Sequence, residues 1–201
     1  MELVRSAEQA YERQIISAAE QVFDRREESP VLLLSGPSAS SKTTTAGKIA
    51  AQLERLGVQT AVISLDDFFK NRADLPLLPN GETDFESIHT LDLDTLRACF
   101  NTLLAAGEAA FPTFDFTSGA RAEEVRRVKA GHGTVLIVEG IHALNPQITE
   151  NCARDGFQLR GDGGVIVPEV FRRFSGDGFG IRYRFIGLIR QNGCGSEQSD
   201  K

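Results

Sequence analysis

At 201 residues the chain is long enough for a single domain with a substantial core, and its apolar fraction is that of an ordinary globular protein. A net charge of −6 argues against the basic footprint that holds nucleic acid, so affinity for phosphate has to be built locally. Cys99, Cys152 and Cys194 lack C-x-x-C spacing and offer no zinc site, no apolar run is long enough to span a membrane, and the start is charged and helical in pattern; the cytoplasm is therefore the expected location, with no membrane partner.

In chain order, Val4, Ala7, Tyr11, Ile15, Ala18 and Val22 recur at three- and four-residue steps and predict a packing helix over residues 1–28, ended by Ser29-Pro30. The apolar run Val31–Leu34 then meets Gly36-Pro37-Ser38-Ala39-Ser40-Ser41-Lys42-Thr43-Thr44. Strand, turn of small residues and helix start form the layout of a phosphate-binding loop, G-x-x-x-x-G-K-[ST], with Ser41 where the second glycine is expected. Small residues let backbone N–H groups turn inward on phosphate oxygens, and the helix start adds its positive dipole end. Lys42 supplies a mobile charge, and the Thr43 hydroxyl suits a Mg²⁺ ion. The plain alternative is a strand-to-helix turn with Ser and Thr near an N-cap. A glycine-like backbone angle at Ser41 is expected to store about 1–3 kcal/mol of strain.

Ala46, Ile49, Leu53 and Leu56 predict the buried face of a second helix, stopped by Gly57. Thr60–Ser64 reads as a buried strand that delivers Leu65-Asp66-Asp67-Phe68-Phe69 at its carboxyl end, where ligands of open α/β sheets sit. Paired carboxylates there are placed for catalysis or, more plainly, for capping a turn. Residues 70–90 form a long Pro- and Gly-containing loop of the kind that more often serves function. Its Asp84 reads equally as a solvated charge.

Leu93, Leu96, Phe100 and Leu103 predict a third helix closed by Gly107. Phe111–Phe116 is extended and aromatic, fit for core or for lining a base pocket, and Glu123–Lys129 is a solvated face or a short hairpin. Thr134–Val138 is a third buried strand, ending in Glu139-Gly140. That acidic residue suits a direct or water-mediated Mg²⁺ role, or a simple turn. His142 reads as a structural hydrogen-bonding residue rather than a base. After Glu150 the character changes, with about half of the 19 glycines in the last quarter. Gly163–Val167 and Ile181–Arg190 are candidate strands, and Arg172, Arg173, Arg182 and Arg184 either close over phosphates or form a solvated basic surface.

Together, the phosphate loop, Ser64-Leu65-Asp66-Asp67-Phe68-Phe69, Pro112-Thr113-Phe114-Asp115-Phe116 and Val138-Glu139-Gly140-Ile141-His142 resemble the uridine kinase and phosphoribulokinase family of P-loop kinases. The nearest resemblance is to its bacterial uridine-kinase-like nucleoside kinase branch, over about residues 30–148. The resemblance implies an α/β fold, a doubly wound parallel sheet flanked by helices, with a kinase core at 29–150 and a divergent tail at 151–201. It also implies transfer of the ATP γ-phosphate to a hydroxyl of a small acceptor, with ATP and Mg²⁺ as cofactors. Homo-oligomerisation stays open.

Residue by residue, the resemblance makes Asp66 the catalytic carboxylate and Lys42 the phosphate contact, puts Mg²⁺ at Thr43 and Glu139, and gives Asp84 the sugar hydroxyls. Phe69, Phe114 and Arg121 fall on the acceptor side. Phe114 stands where typical uridine kinases place a base-contacting tyrosine, and Gly119 where they place a histidine, so the acceptor need not be uridine. The tail echoes the family's arginine-rich lid only faintly and is expected to be non-homologous. A nucleotide-binding module with little kinase activity is the alternative. A GTPase is disfavoured because no N-K-x-D stretch is present.

Overall fold

The apolar runs become parallel strands, of which 31–34 and 135–139 are buried throughout, while 60–64, expected to be buried, is half-covered except at Ile63. The computed structural model describes residues 2–27, 29–75, 77–78, 80–82 and 84–148, and the backbone of 157–159 and 189–191. In order the elements are α1 (Glu2–Arg25), β1 (Val31–Leu34), α2 (Lys42–Arg55), β2 (Thr60–Ser64), a 3₁₀ turn (Leu65–Phe68), α3 (Leu93–Ala106), β3 (Glu108–Asp115), β4 (Ala120–Lys129) and β5 (Val135–Glu139). The short strands β6 (Phe157–Leu159) and β7 (Ile189–Gln191) follow and pair antiparallel.

β5 lies between β1 and β2 and is parallel to both. Leu32, Leu34, Val135 and Ile137 face α1 and α2, packing on Ile15, Ala19, Val22, Ala46, Ile49 and Leu53. Val31, Leu33, Leu136 and Val138 face the other way, toward Phe68, Phe100, Leu103 and Phe111. Two covered faces explain why these strands read as continuous apolar runs without alternation. This is the α/β architecture of a parallel sheet flanked by helices. Its register sets up the site: Glu139 is level with Leu34 on one side and Ser64 on the other. The loops leaving β1 and β2 therefore emerge on either flank of Glu139.

Three apolar positions depart from expectation. The α1 stripe is buried from Ile15 to Val22, but Val4, at 61% exposure, and Ala7 are open to solvent. At 1.5 Å per residue, α1 runs about 36 Å against about 21 Å for α2, so its first turns overhang the partner. Leu56, expected in the core, is 43% exposed. The helix stops at Arg55, and Gly57 (φ 82°) reverses the chain. Val58 donates its N–H to Leu53 O, Gly57 donates to Glu54 O, and Val58 takes the buried place instead.

Glu123–Lys129, read as a solvated face or short hairpin, belong to β4, which pairs antiparallel with β3. Phe111 anchors this hairpin, its ring edge-on to Phe68 and to Phe100, each at 5.8 Å. The long loop closes on itself, Lys70 N–H donating to Thr90 O at 2.8 Å and Asp92 N–H to Phe68 O at 2.9 Å. Of the candidate strands in the tail, Ile189 and Arg190 belong to β7; Gly163–Val167 and the arginines at 172, 173, 182 and 184 lie outside the described residues.

Candidate active site

The phosphate loop leaves β1 and enters α2 at Lys42. Ser41 sits in the left-handed region at φ 59°, ψ 29°, and Ala39 is there too at φ 61°. Both side chains occupy a conformation that glycine tolerates and other residues resist. The loop is tied at its start by Ser35, whose hydroxyl donates to Ile141 O at 2.8 Å. Lys42 is only 7% exposed, and its Nζ donates to Pro37 O at 3.0 Å, folding back over the loop it would share with phosphates. Gly36 and Ser40 are partly covered, while Pro37, Ser38, Ala39, Ser41, Thr43 and Thr44 are open to solvent.

Glu139 is the buried acid of the site, at 1% exposure. The Thr43 hydroxyl donates to its Oε1 at 2.9 Å, while Oε2 is buried with no hydrogen-bond partner. Leaving such an oxygen unmet is costly unless a ligand, water or ion meets it. Asp66 comes to the same place from the end of β2. Burial raises its carboxyl above the ordinary range, the Glu139 charge raises it further, and Lys42 pulls it back. Asp66, Glu139 and Lys42 are thus brought together. Gly140 permits this approach: a Cβ there would stand 2.7 Å from Leu65 Cβ, next to Asp66 in the chain.

Asp67 turns away, toward the hairpin. Its Oδ2 lies 3.6 Å from Arg126 Nη2. Phe69 is edge-on to Phe114 (5.7 Å) and Phe116 (6.3 Å), which are 5.1 Å from each other. Phe116, which sequence reasoning left among the aromatics without a role, completes this ring cluster. Gly119 lies under Arg72, whose Cδ would be 2.4 Å from any Cβ added there, and Arg72 Nη2 donates to Phe116 O.

Asp84 is half-buried and accepts the Glu86 N–H at 3.1 Å. His142 stands near it: burial lowers its imidazole, while the Ser87 and Glu86 carbonyls and the Asp84 and Glu86 charges work the other way. A cleft of about 450 Å³ opens here, between Ser35–Ser38 of the phosphate loop and Glu86, His142 and Leu144. Arg121 is engaged elsewhere. Its Nη2 donates to Asp92 Oδ2 at 3.2 Å at the start of α3, and its Nε is buried without a partner. Burial works against ionised Asp92, but the Thr95 hydroxyl and amide and Arg121 hold its carboxyl below the ordinary range.

The family model for the phosphoribulokinase/uridine kinase family matches residues 31–151, more than half of the chain. The chain belongs to this family. A uridine kinase from Ligilactobacillus salivarius is 30% identical over 121 residues, covering 60% of this chain and 55% of that protein. One from Chloroflexus aurantiacus is 32% identical over 114 residues, covering 56% and 52%. The chain therefore spans about half the length of the curated relatives it matches. A possible uridine kinase from Bacillus stearothermophilus has the same fold, with TM-score 0.57 at 21% identity over 75% of this chain and 77% of that one.

Within this site, Thr43 and Glu139 are the pair suited to a hard cation. A hydroxyl and a carboxylate with one unmet buried oxygen fit Mg²⁺, which keeps most of its waters and takes few protein ligands. No cluster of three or more His, Cys, Asp or Glu among the described residues is arranged to hold a metal. Nor is any helix among them long and apolar enough to cross a membrane.

Ser41→Gly is expected to relieve more strain than it adds unfolded-state entropy, raising stability by roughly 1 kcal/mol. The check is the urea midpoint at unchanged slope. The raised carboxyl of Asp66 makes a second prediction. A native group that keeps its proton where the unfolded chain has lost it makes stability fall as pH rises, from about pH 4 through the raised value. Asp66→Asn should therefore stabilise the nucleotide-free protein at pH 7 and change it little below pH 4, as read by urea unfolding at both.

Proposed function

We propose that this protein is an ATP-dependent kinase that transfers the γ-phosphate to a hydroxyl of a small acceptor of the nucleoside class. The observation that carries this reading is the meeting of Asp66 with Lys42 and with a Thr43–Glu139 pair whose second carboxylate oxygen is unmet. Phosphoryl transfer asks a protein mainly for positioning and charge stabilisation, and these residues divide that work.

In this reading backbone N–H groups of the Gly36–Thr44 loop and the Lys42 ammonium hold the triphosphate, at the N-terminal end of α2. Thr43 and Glu139 hold Mg²⁺. That ion, when bound with ATP, offsets charge on the β- and γ-phosphoryl oxygens. Asp66 takes the proton of the acceptor hydroxyl. Its raised carboxyl supports the role, because a more basic carboxylate is the better proton acceptor. Asp84 holds sugar hydroxyls across the cleft, and Phe69 and Phe114 supply an aromatic wall for a planar group. Arg121, tied to Asp92, supports that wall from the side of α3.

One observation favours a second reading. The family match stops at residue 151, before the arginines of the tail. A phosphate loop without a closing cation would bind ATP and turn it over poorly, since an arginine at the transferred phosphoryl group is worth about 10³–10⁵-fold in rate. An acceptor screen with Mg·ATP, covering uridine, cytidine and other small hydroxyl compounds, separates the two. ADP release that depends on an added acceptor supports the kinase; ATP binding without turnover under any acceptor supports the module. For the kinase, Asp66→Asn should leave ATP affinity unchanged and lower transfer by roughly 10²–10⁴-fold. Loss of ATP affinity in parallel would remove Asp66 from the role of base.

A further inference from the structure

The residue after the proposed base does something different from it, and the sequence shows why this is unusual. Strand alternation puts Ala109 and Phe111 of β3, with their partners Val128 and Arg126 of β4, on one side of the hairpin. Ala109, Phe111 and Val128 are buried there. Arg126 occupies the fourth inward position, where the pattern calls for an apolar residue. It is accommodated because both ends of its guanidinium are used. Nη1 donates to Val62 O at 3.0 Å, fixing the hairpin to β2, and Nη2 faces Asp67 Oδ2 at 3.6 Å.

Asp67 receives the second strand of the hairpin as well. Burial raises its carboxyl, and the opposing pull comes from Arg126 and from the Phe114 backbone N–H. That amide sits beside the one irregularity in the ladder. Between the pairs Pro112–Val125 and Phe114–Arg121 the register shifts, with Thr113 facing the longer stretch Ala122–Glu124. The bulge gives the distal half of the hairpin its own orientation, and that half carries Phe114 and Phe116. An exposed ion pair of this length is ordinarily worth little. In this one the Arg126 side chain is 42% exposed, but the carboxylate is three-quarters buried, at 23%, and is contacted from both strands.

We propose that Asp67 and Arg126 form a latch that sets the position of the distal hairpin, and so of Phe114 and Phe116, relative to Asp66. They are positioning residues: neither touches the phosphate loop, and each acts through the aromatic wall. The 3₁₀ turn Leu65–Phe68 thereby carries adjacent carboxylates with divided duties, one for the reacting hydroxyl and one for the surface that orients the rest of the acceptor. The kinetic part of this inference rests on the proposed kinase reading; the structural part does not. Anchoring of the proximal half by Phe111, between Phe68 and Phe100, predicts that breaking the latch loosens the hairpin without unfolding it.

The test uses the full chain and the variants Arg126→Gln and Arg126→Lys. Amide hydrogen exchange in Arg126→Gln should speed up on the order of tenfold at 113–121, with α2 and Ala109–Phe111 unchanged. With whichever acceptor the wild type phosphorylates, its KM should rise on the order of tenfold while KM for ATP stays the same. Arg126→Lys, which keeps the charge, should recover part of both effects. Unchanged exchange at 113–121 in Arg126→Gln overturns the latch, as do acceptor and ATP KM values that rise together. If the wild type turns over no acceptor, the kinase reading fails and the exchange result alone decides the latch.

Discussion

The site depends on one close approach. Gly140 lets the end of β5 lie against Leu65, where even one methyl group would stand 2.7 Å from the Leu65 Cβ. Because of it, the turn after β2 reaches Glu139 and brings Asp66 with it. The parallel register does the rest, setting Glu139 level with Leu34 and Ser64 so that the phosphate loop emerges on its other flank. Three separate stretches of sequence converge at one sheet edge, the switch-point geometry of open α/β proteins.

What gathers there is individually unfavourable. Glu139 is buried with an unmet oxygen, Asp66 is raised by burial and by its neighbour, and Ser41 and Ala39 are held at positive φ. Such features persist only where the surroundings over-determine them. Here those surroundings are a sheet packed on both faces, with α1 and α2 on one side and α3 with the hairpin on the other. A cation brought in with a phosphate-bearing ligand would meet the clearest of these deficits, the free oxygen of Glu139.

Much of this was legible in the sequence, for a physical reason in each case. Val31–Leu34 and Val135–Val138 announced themselves because a strand covered on both faces needs no alternation; Thr60–Ser64 was read the same way, though only Ile63 of it is buried. The phosphate loop was legible despite Ser41, whose left-handed backbone is the one the missing glycine would have supplied. The meeting of Asp66 with Glu139 was expected from the resemblance alone, since it follows from the order β1-β5-β2, which no local pattern encodes. Arg126 was hidden for the opposite reason. A charge within a mixed-charge run reads as solvated, and only the pairing with β3 shows that it points inward; the surviving signal was its two-residue spacing from Val128. Arg121 was singled out for the acceptor side, yet its guanidinium is held by Asp92 at the start of α3. Leu56 misled because its apolar period continues one residue past the helix end at Arg55, just before the reversal at Gly57.

The claim on which all of this turns is that Asp66 and Glu139 share one electrostatic site. Carboxyl-resolved NMR titration of Asp66, in the wild type and in Glu139→Gln, tests it directly. The wild-type carboxyl should titrate above the ordinary range, and removing the Glu139 charge should move it down toward that range. An Asp66 that titrates identically in both proteins would contradict the account.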